Sequence, residues 1–138
     1  MFFKDKQENQ SDDNLKKIAA LLIHAAKIDE DYSIKEKEII KQTLLEIGAN
    51  NENIDQIMKD GAEIEQNSNH ILEFTKEVKI LDEDNKIRII ETLWRIIFSN
   101  KVADMYETSL MRRLAGLLYI DNKIMGDIKE RIKKEYST

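Results

Sequence analysis

Across its 138 residues the chain has no proline and only four glycines. Apolar residues return every three or four positions along most of its length. Together these leave few folds open. Proline would break a helix by removing a donor and clashing with the preceding turn. A strand would need alternation, and no segment alternates long enough to compete. The chain therefore reads as all-α. Its length suits one domain with one real core.

The residues punctuate this pattern into about seven helices. The first carries Leu15, Ile18, Ala19, Leu22, Ile23 and Ala26, with Asp12 or Asp13 as its expected cap. Residues 1–12 are expected to be a flexible N-terminal segment, and 13–138 a single helical domain. Asp29-Glu30-Asp31 ends the first pattern near Ile28. Ser33 and Glu36 form a capping box that opens the second helix, with Ile39, Ile40, Thr43, Leu44 and Ile47 as its stripe. Gly48 stands where a left-handed cap would end it. The third helix carries Ile54, Ile57, Met58 and Ile64, and Gly61 within it marks a close helix contact or a weak point.

After the turn Asn67-Ser68-Asn69, the fourth helix carries Ile71, Phe74, Val78 and Leu81. Asp82-Glu83-Asp84 caps a fifth, with Ile87, Ile90, Leu93, Trp94 and Ile97. Trp94 reads as a core anchor. A second capping box, Asp104 with Glu107, opens the sixth helix of Leu110, Leu114 and Leu117. Ile120-Asp121 restarts the chain into a seventh, with Ile124, Met125, Ile128 and Ile132 as its stripe.

A gapless shift of 71 positions aligns the two halves. Leu22 falls on Leu93, Ala25 on Ile96, Ala26 on Ile97, Ile40 on Met111 and Ile47 on Leu118. Ser33 falls on Asp104 and Glu36 on Glu107, so the capping boxes superpose. This predicts two helix–acidic loop–helix units related by an approximate two-fold axis, joined by the third and fourth helices.

Composition and spacing exclude several chemistries. Without cysteine there are no disulfides, thiolate zinc sites or thiol nucleophiles. A net charge of −5 argues against a general nucleic-acid binder. Met1-Phe2-Phe3 followed by alternating charge is not a signal peptide, and no apolar run approaches a membrane span. A cytoplasmic location is therefore expected. Bundle di-iron sites need Glu three residues before His, but Leu21 and Asn67 stand before His24 and His70. His24 reads as a half-buried packing residue. Asp29-x-Asp31-x-Ser33 begins like a calcium loop, yet Ile34 and Ile40 occupy the glycine and bidentate-glutamate positions. Asp29, Asp31 and Glu36 are what remain as candidate cation ligands there. Arg112-Arg113 reads as a structural pair for carboxylates of a neighbouring loop.

The segment Ile28-Asp29-Glu30-Asp31-Tyr32-Ser33-Ile34-Lys35-Glu36 resembles the "ADGxxSxxE" loop of the TerB-like family, which includes tellurite-resistance domains and the N-terminal domain of the co-chaperone DjlA. Leu93-Trp94, the run from Ser99 to Glu107 and the run Leu110-Met111-Arg112-Arg113-Leu114-Ala115-Gly116-Leu117-Leu118 are similar to that family's "LW…ADGxLDxxExxLxRRIAxLL" pattern. The resemblance runs from about Leu15 to Ile132. It implies a compact helical array with internal pseudo-symmetry, and metal sites at the acidic loops. Asp29 and Glu36 match the first loop, and Asp104 and Glu107 the second. Asn100 replaces an aspartate of the pattern, and Lys101 and Glu30 replace glycines.

The expected function is a non-enzymatic interaction or adaptor domain of the bacterial cytoplasm, linked by resemblance to tellurite resistance or stress response. It would bind a protein partner, and its acidic loops, with Asp29, Asp31, Glu36, Asp104 and Glu107, are candidate sites for a divalent cation. No other cofactor is expected. The alternative is a hydrolase using clustered carboxylates around a metal.

Overall fold

A computed structural model describes residues 2–27, 33–68, 72–99 and 105–137, with side chains at 12–27, 33–68, 74–99 and 109–136. Among the described residues the chain forms helices only: α1 Phe2–Lys27, α2 Ile34–Ile47, α3 Ile54–Asn67, α4 Leu72–Lys79, α5 Glu83–Ser99, α6 Met105–Leu117 and α7 Asn122–Ser137.

Two helices form the centre. Along α1, every residue from Ile18 to Ile23 is fully buried. The expected stripe thus widens to include Ala20, Leu21 and Ala25, because α1 touches α2, α3, α4 and α5 and has no solvent side in its middle. Along α5, Ile89, Ile90, Leu93, Trp94, Ile96, Ile97 and Phe98 are buried, and α5 packs on α7, α2, α1 and α4. Each fully buried aliphatic side chain contributes about 1.5–3 kcal/mol relative to exposure. Trp94 is the core anchor its spacing predicts, and it stacks on Phe98 with ring centroids 5.6 Å apart.

Small residues set the closest approach. A Cβ on Gly61 would lie 2.6 Å from Ala19 Cβ and 3.0 Å from the Lys16 carbonyl oxygen. Gly61 is therefore the close contact of α3 on α1, the first of the two roles its place in the pattern allows. Ion pairs flank this seam. Lys16 Nζ lies 3.1 Å from Asp60 and Lys27 Nζ 2.8 Å from Glu65, while half-buried His24 reaches Glu65 through Nδ1 at 3.4 Å. The hydrogen bond with Asp60 raises the Lys16 pKa, and the same bond lowers that of Asp60. On the opposite side Arg95 of α5 holds Glu135 of α7 through two bonds, at 3.2 and 3.3 Å, and Arg131 pairs with Glu91. Burial disfavours the Arg95 charge, but the Glu135 bond and charge outweigh it and raise its pKa.

Between α2 and α5 the buried hydroxyls of Thr43 and Thr92 bond each other. The helix ends at Asp82 and Gly48 follow the caps read from sequence, and those at Asp121 and Tyr119 add to them. Asp82 Oδ1 accepts the Asn85 N–H at 2.8 Å and Asp121 Oδ1 the Lys123 N–H at 2.7 Å. α2 ends at Gly48 with φ 142°, and Ala49 N–H donates to the Leu44 carbonyl at 2.9 Å. α6 closes the same way around Tyr119, at φ 57°, with Ile120 N–H donating to the Ala115 carbonyl at 2.9 Å.

Two expectations need correction. α1 does not start at an Asp12 or Asp13 cap but at Phe2, since no proline or glycine lies in that stretch to stop it. Asp12 Oδ1 instead accepts from Asn53 Nδ2 at 3.1 Å, tying α1 to the start of α3. Ile124 is 39% exposed rather than core, because Met125 and Ile128 take the buried face of α7.

Candidate functional site

The first acidic loop lies between the end of α1 and the start of α2. Both of its shoulders are fixed. On the α1 side, Lys27 and His24 are held by Glu65 of α3, whose side chain is mostly buried. On the α2 side, Ser33 caps the helix. Glu36 N–H donates to Ser33 Oγ at 3.2 Å, and Glu36 Oε1 accepts from Ser33 N–H at 3.0 Å and from Ser33 Oγ at 2.9 Å. These bonds satisfy two helix-end donors that would otherwise be left open.

Glu36 does more than its cap requires. It is only 1% exposed, and its second oxygen, Oε2, is buried with no hydrogen-bond partner. A carboxylate oxygen removed from water without a partner is costly, on the order of 1–3 kcal/mol or more when charged. Glu36 thus has one carboxylate oxygen without a partner, in the first turn of the helix that follows Asp29 and Asp31 in sequence. The sequence marked Glu36 as a cap and as a ligand but not as a buried group. The signal was present: Glu36, Ile40, Thr43 and Leu44 share one helical face, and all four are buried.

Asp29 and Asp31 lie outside the described residues, as does Asp104 of the second loop. Glu107 sits in the first turn of α6, with only its backbone described. The structure therefore does not bring the five candidate ligands together or separate them. Among the described residues no three His, Cys, Asp or Glu side chains gather as a metal would require. His70 also lies outside them.

Elsewhere among the described residues, five large apolar side chains are exposed: Ile34 at the start of α2, Ile80, Tyr119, Ile124 and Tyr136, the first three much the most. Lys79 Nζ sits 4.3 Å from the Tyr119 ring centroid and 3.2 Å from its hydroxyl. Arg112 and Arg113 are both exposed, and among the described residues neither has the expected carboxylate partner. Arg112 instead borders a cavity with Trp94, Met111, Met125 and Lys129. Sequence reading missed this cavity, whose only linear sign is the small pair Ala115 and Gly126 on adjacent helices.

An all-helical array is the class this architecture defines among the described residues. Comparison with known families gives its membership: residues 16–130 match the model of the tellurite resistance protein TerB family. The chain belongs to the TerB family. No curated protein and no solved structure matches it. No helix among the described residues is long and apolar enough to cross a membrane.

Proposed function

We propose that the chain is a non-enzymatic TerB-family interaction module whose first acidic loop is organised by a divalent cation. The observation that carries this reading is Glu36 Oε2, buried and without a partner beside the loop. Asp29 and Asp31 would supply the remaining carboxylates, a hard-oxygen set suited to calcium, magnesium or manganese. The cation would fix the loop and present Ile34, 79% exposed at the start of α2, to a protein partner. The second loop, with Asp104 and Glu107, has an asparagine and a lysine where the family pattern has aspartate and glycine, and is the weaker site. The family name links the module to tellurite resistance in a bacterial cytoplasm. The two helix–loop–helix units would be repeats related by an approximate two-fold axis. This is supported by the shared burial of Leu22 and Leu93, Ile40 and Met111, and Ile57 and Ile128. The hydrolytic alternative needs carboxylates converging in a pocket, and no observation favours it.

Titration with calcium, magnesium, manganese and zinc tests the cation. An apparent Kd of about 1 mM or tighter is expected for at least one of them. Asp29→Asn with Asp31→Asn should abolish it while the helical circular dichroism stays intact. Binding weaker than this for all four ions, or unchanged binding in the double variant, would sink the assignment.

A further inference from the structure

We infer that the cavity between α5, α6 and α7 is a binding site for a small amphiphilic carboxylate, one bearing a single ring or a branched alkyl group. The cavity holds about 160 Å³. That is the size of an apolar cavity known to admit one benzene ring, about 150 Å³. Its walls are Trp94 of α5, Met111 of α6 and Met125 of α7, all buried apolar side chains. Methionine adapts to irregular ligands and makes favourable contacts with aromatic rings. The Trp94 indole N–H is buried and has no acceptor, so the wall also contains an unsatisfied donor.

The rim supplies the charge. Arg112 and Lys129 border the cavity, and among the described residues no acidic one lines it. Neither cation has an ion-pair partner among the described residues, and Lys129 Nζ lies 5.4 Å from the Trp94 ring centroid. Two unpaired cations over an apolar floor run against the net charge of −5. An arginine fork accepts a carboxylate through two parallel bonds. The occupant is therefore anionic at one end and apolar at the other. Gly126 also lines the cavity, and a Cβ there would meet nothing within 4 Å, so a larger side chain has room to occupy the space. This site is separate from the first acidic loop, and its failure would leave the cation reading untouched.

Trp94 is the only tryptophan of the chain and reports directly on the cavity. The full chain is titrated with 3-phenylpropionate, with 3-phenylpropionamide, and with the tripeptide Gly-Gly-Phe bearing either a free or an amidated carboxyl end. The free acid should change Trp94 fluorescence saturably, with a Kd of about 1 mM, as expected for a ligand of about ten heavy atoms. The amide should bind at least about tenfold more weakly, which is the loss of one charge-assisted contact. A response to the small acid assigns the ligand to free carboxylates. A response only to the free-ended peptide assigns it to chain termini. Gly126→Leu fills the space with a better helix former, so it should keep the helical signal and abolish binding. Arg112→Gln with Lys129→Gln should remove the preference for acid over amide. No response to any free carboxylate, equal binding of acid and amide, or unchanged binding in Gly126→Leu would each overturn the inference. The acid and amide comparison uses the unaltered chain and stands even if a variant fails to fold.

Discussion

The two halves of the molecule share one apolar pattern and end with different interiors. In the first, Ile23, Ile40 and Leu44 are fully buried aliphatic side chains. The positions 71 residues later are Trp94, Met111 and Ala115, and they line a cavity. Where Met58 packs on the core, Lys129 lies over the Trp94 ring. Where Gly61 lets α3 press onto α1, Ile132 is itself fully buried between α7 and its neighbours. The periodicity of apolar residues decides which face of each helix is buried. The volumes at three or four positions decide whether that interior is solid or hollow.

Paired substitutions can break this contrast. The largest effect is expected from adding the same side chain to the two glycines. Gly61→Leu must force α3 away from Ala19 and the Lys16 backbone, and should cost about 3 kcal/mol in chemical denaturation. Gly126→Leu meets open space and should be neutral or gain up to about 1 kcal/mol from helix propensity. If both lose stability alike, the halves are equally packed and the contrast fails.

A middle-sized effect tests the seam between the halves. The two hydroxyls have two protons between them: one makes the bond that joins them, and the other goes to a helix carbonyl, that of Ile39 at 3.1 Å from Thr43 Oγ1 or that of Arg88 at 2.8 Å from Thr92 Oγ1. Thr92→Val should cost about 1 kcal/mol by removing one member of the buried pair. Combining it with Thr43→Val should cost less than the sum of the two single changes, because the bond between the hydroxyls is lost only once. Additive losses in this double-mutant cycle would show that the two hydroxyls do not couple.

The smallest effect compares the two helix ends. Gly48 and Tyr119 take the same place in the shift, and each has positive φ. Glycine adopts that conformation freely, whereas a tyrosine is strained by about 1 kcal/mol. Its contact with Lys79 offsets about half of this. Tyr119→Gly should therefore raise stability by about 0.5 kcal/mol, measurable as a small increase in Tm. A loss of stability would mean that Lys79 and Tyr119 hold the turn more firmly than exposed groups usually do.

The features most legible in the sequence act over a few residues. Ser33 with Glu36, and Asp82, cap the helices they were expected to cap, because a side-chain oxygen near a helix start has nearby N–H groups to accept. Gly61 was legible because a lone glycine in an apolar helix costs stability unless a neighbour needs the room. The start of α1 was not legible, since a cap residue permits a helix to begin but does not compel it. At the candidate site, the sequence identified Glu36 as a ligand, while its burial depends on what α2 packs against. The cavity was the least legible feature. It is the space left by side chains from three helices, and no linear pattern records a space.

The central position of α1 has a consequence for how the chain is made. The segment from Ile18 to Ile23 leaves the ribosome before every helix that covers it. α5, one of those helices, follows only after residue 82. At ordinary synthesis rates, several seconds to more than ten separate these two segments. During that interval this fully buried stretch of α1 has no complete shelter. Early pairing with α2 and α3 would shorten the exposure, and the capping box at Ser33 starts α2 without waiting for distant residues. The first half would then serve in time as it does in space, as the compact platform on which the later, looser half assembles.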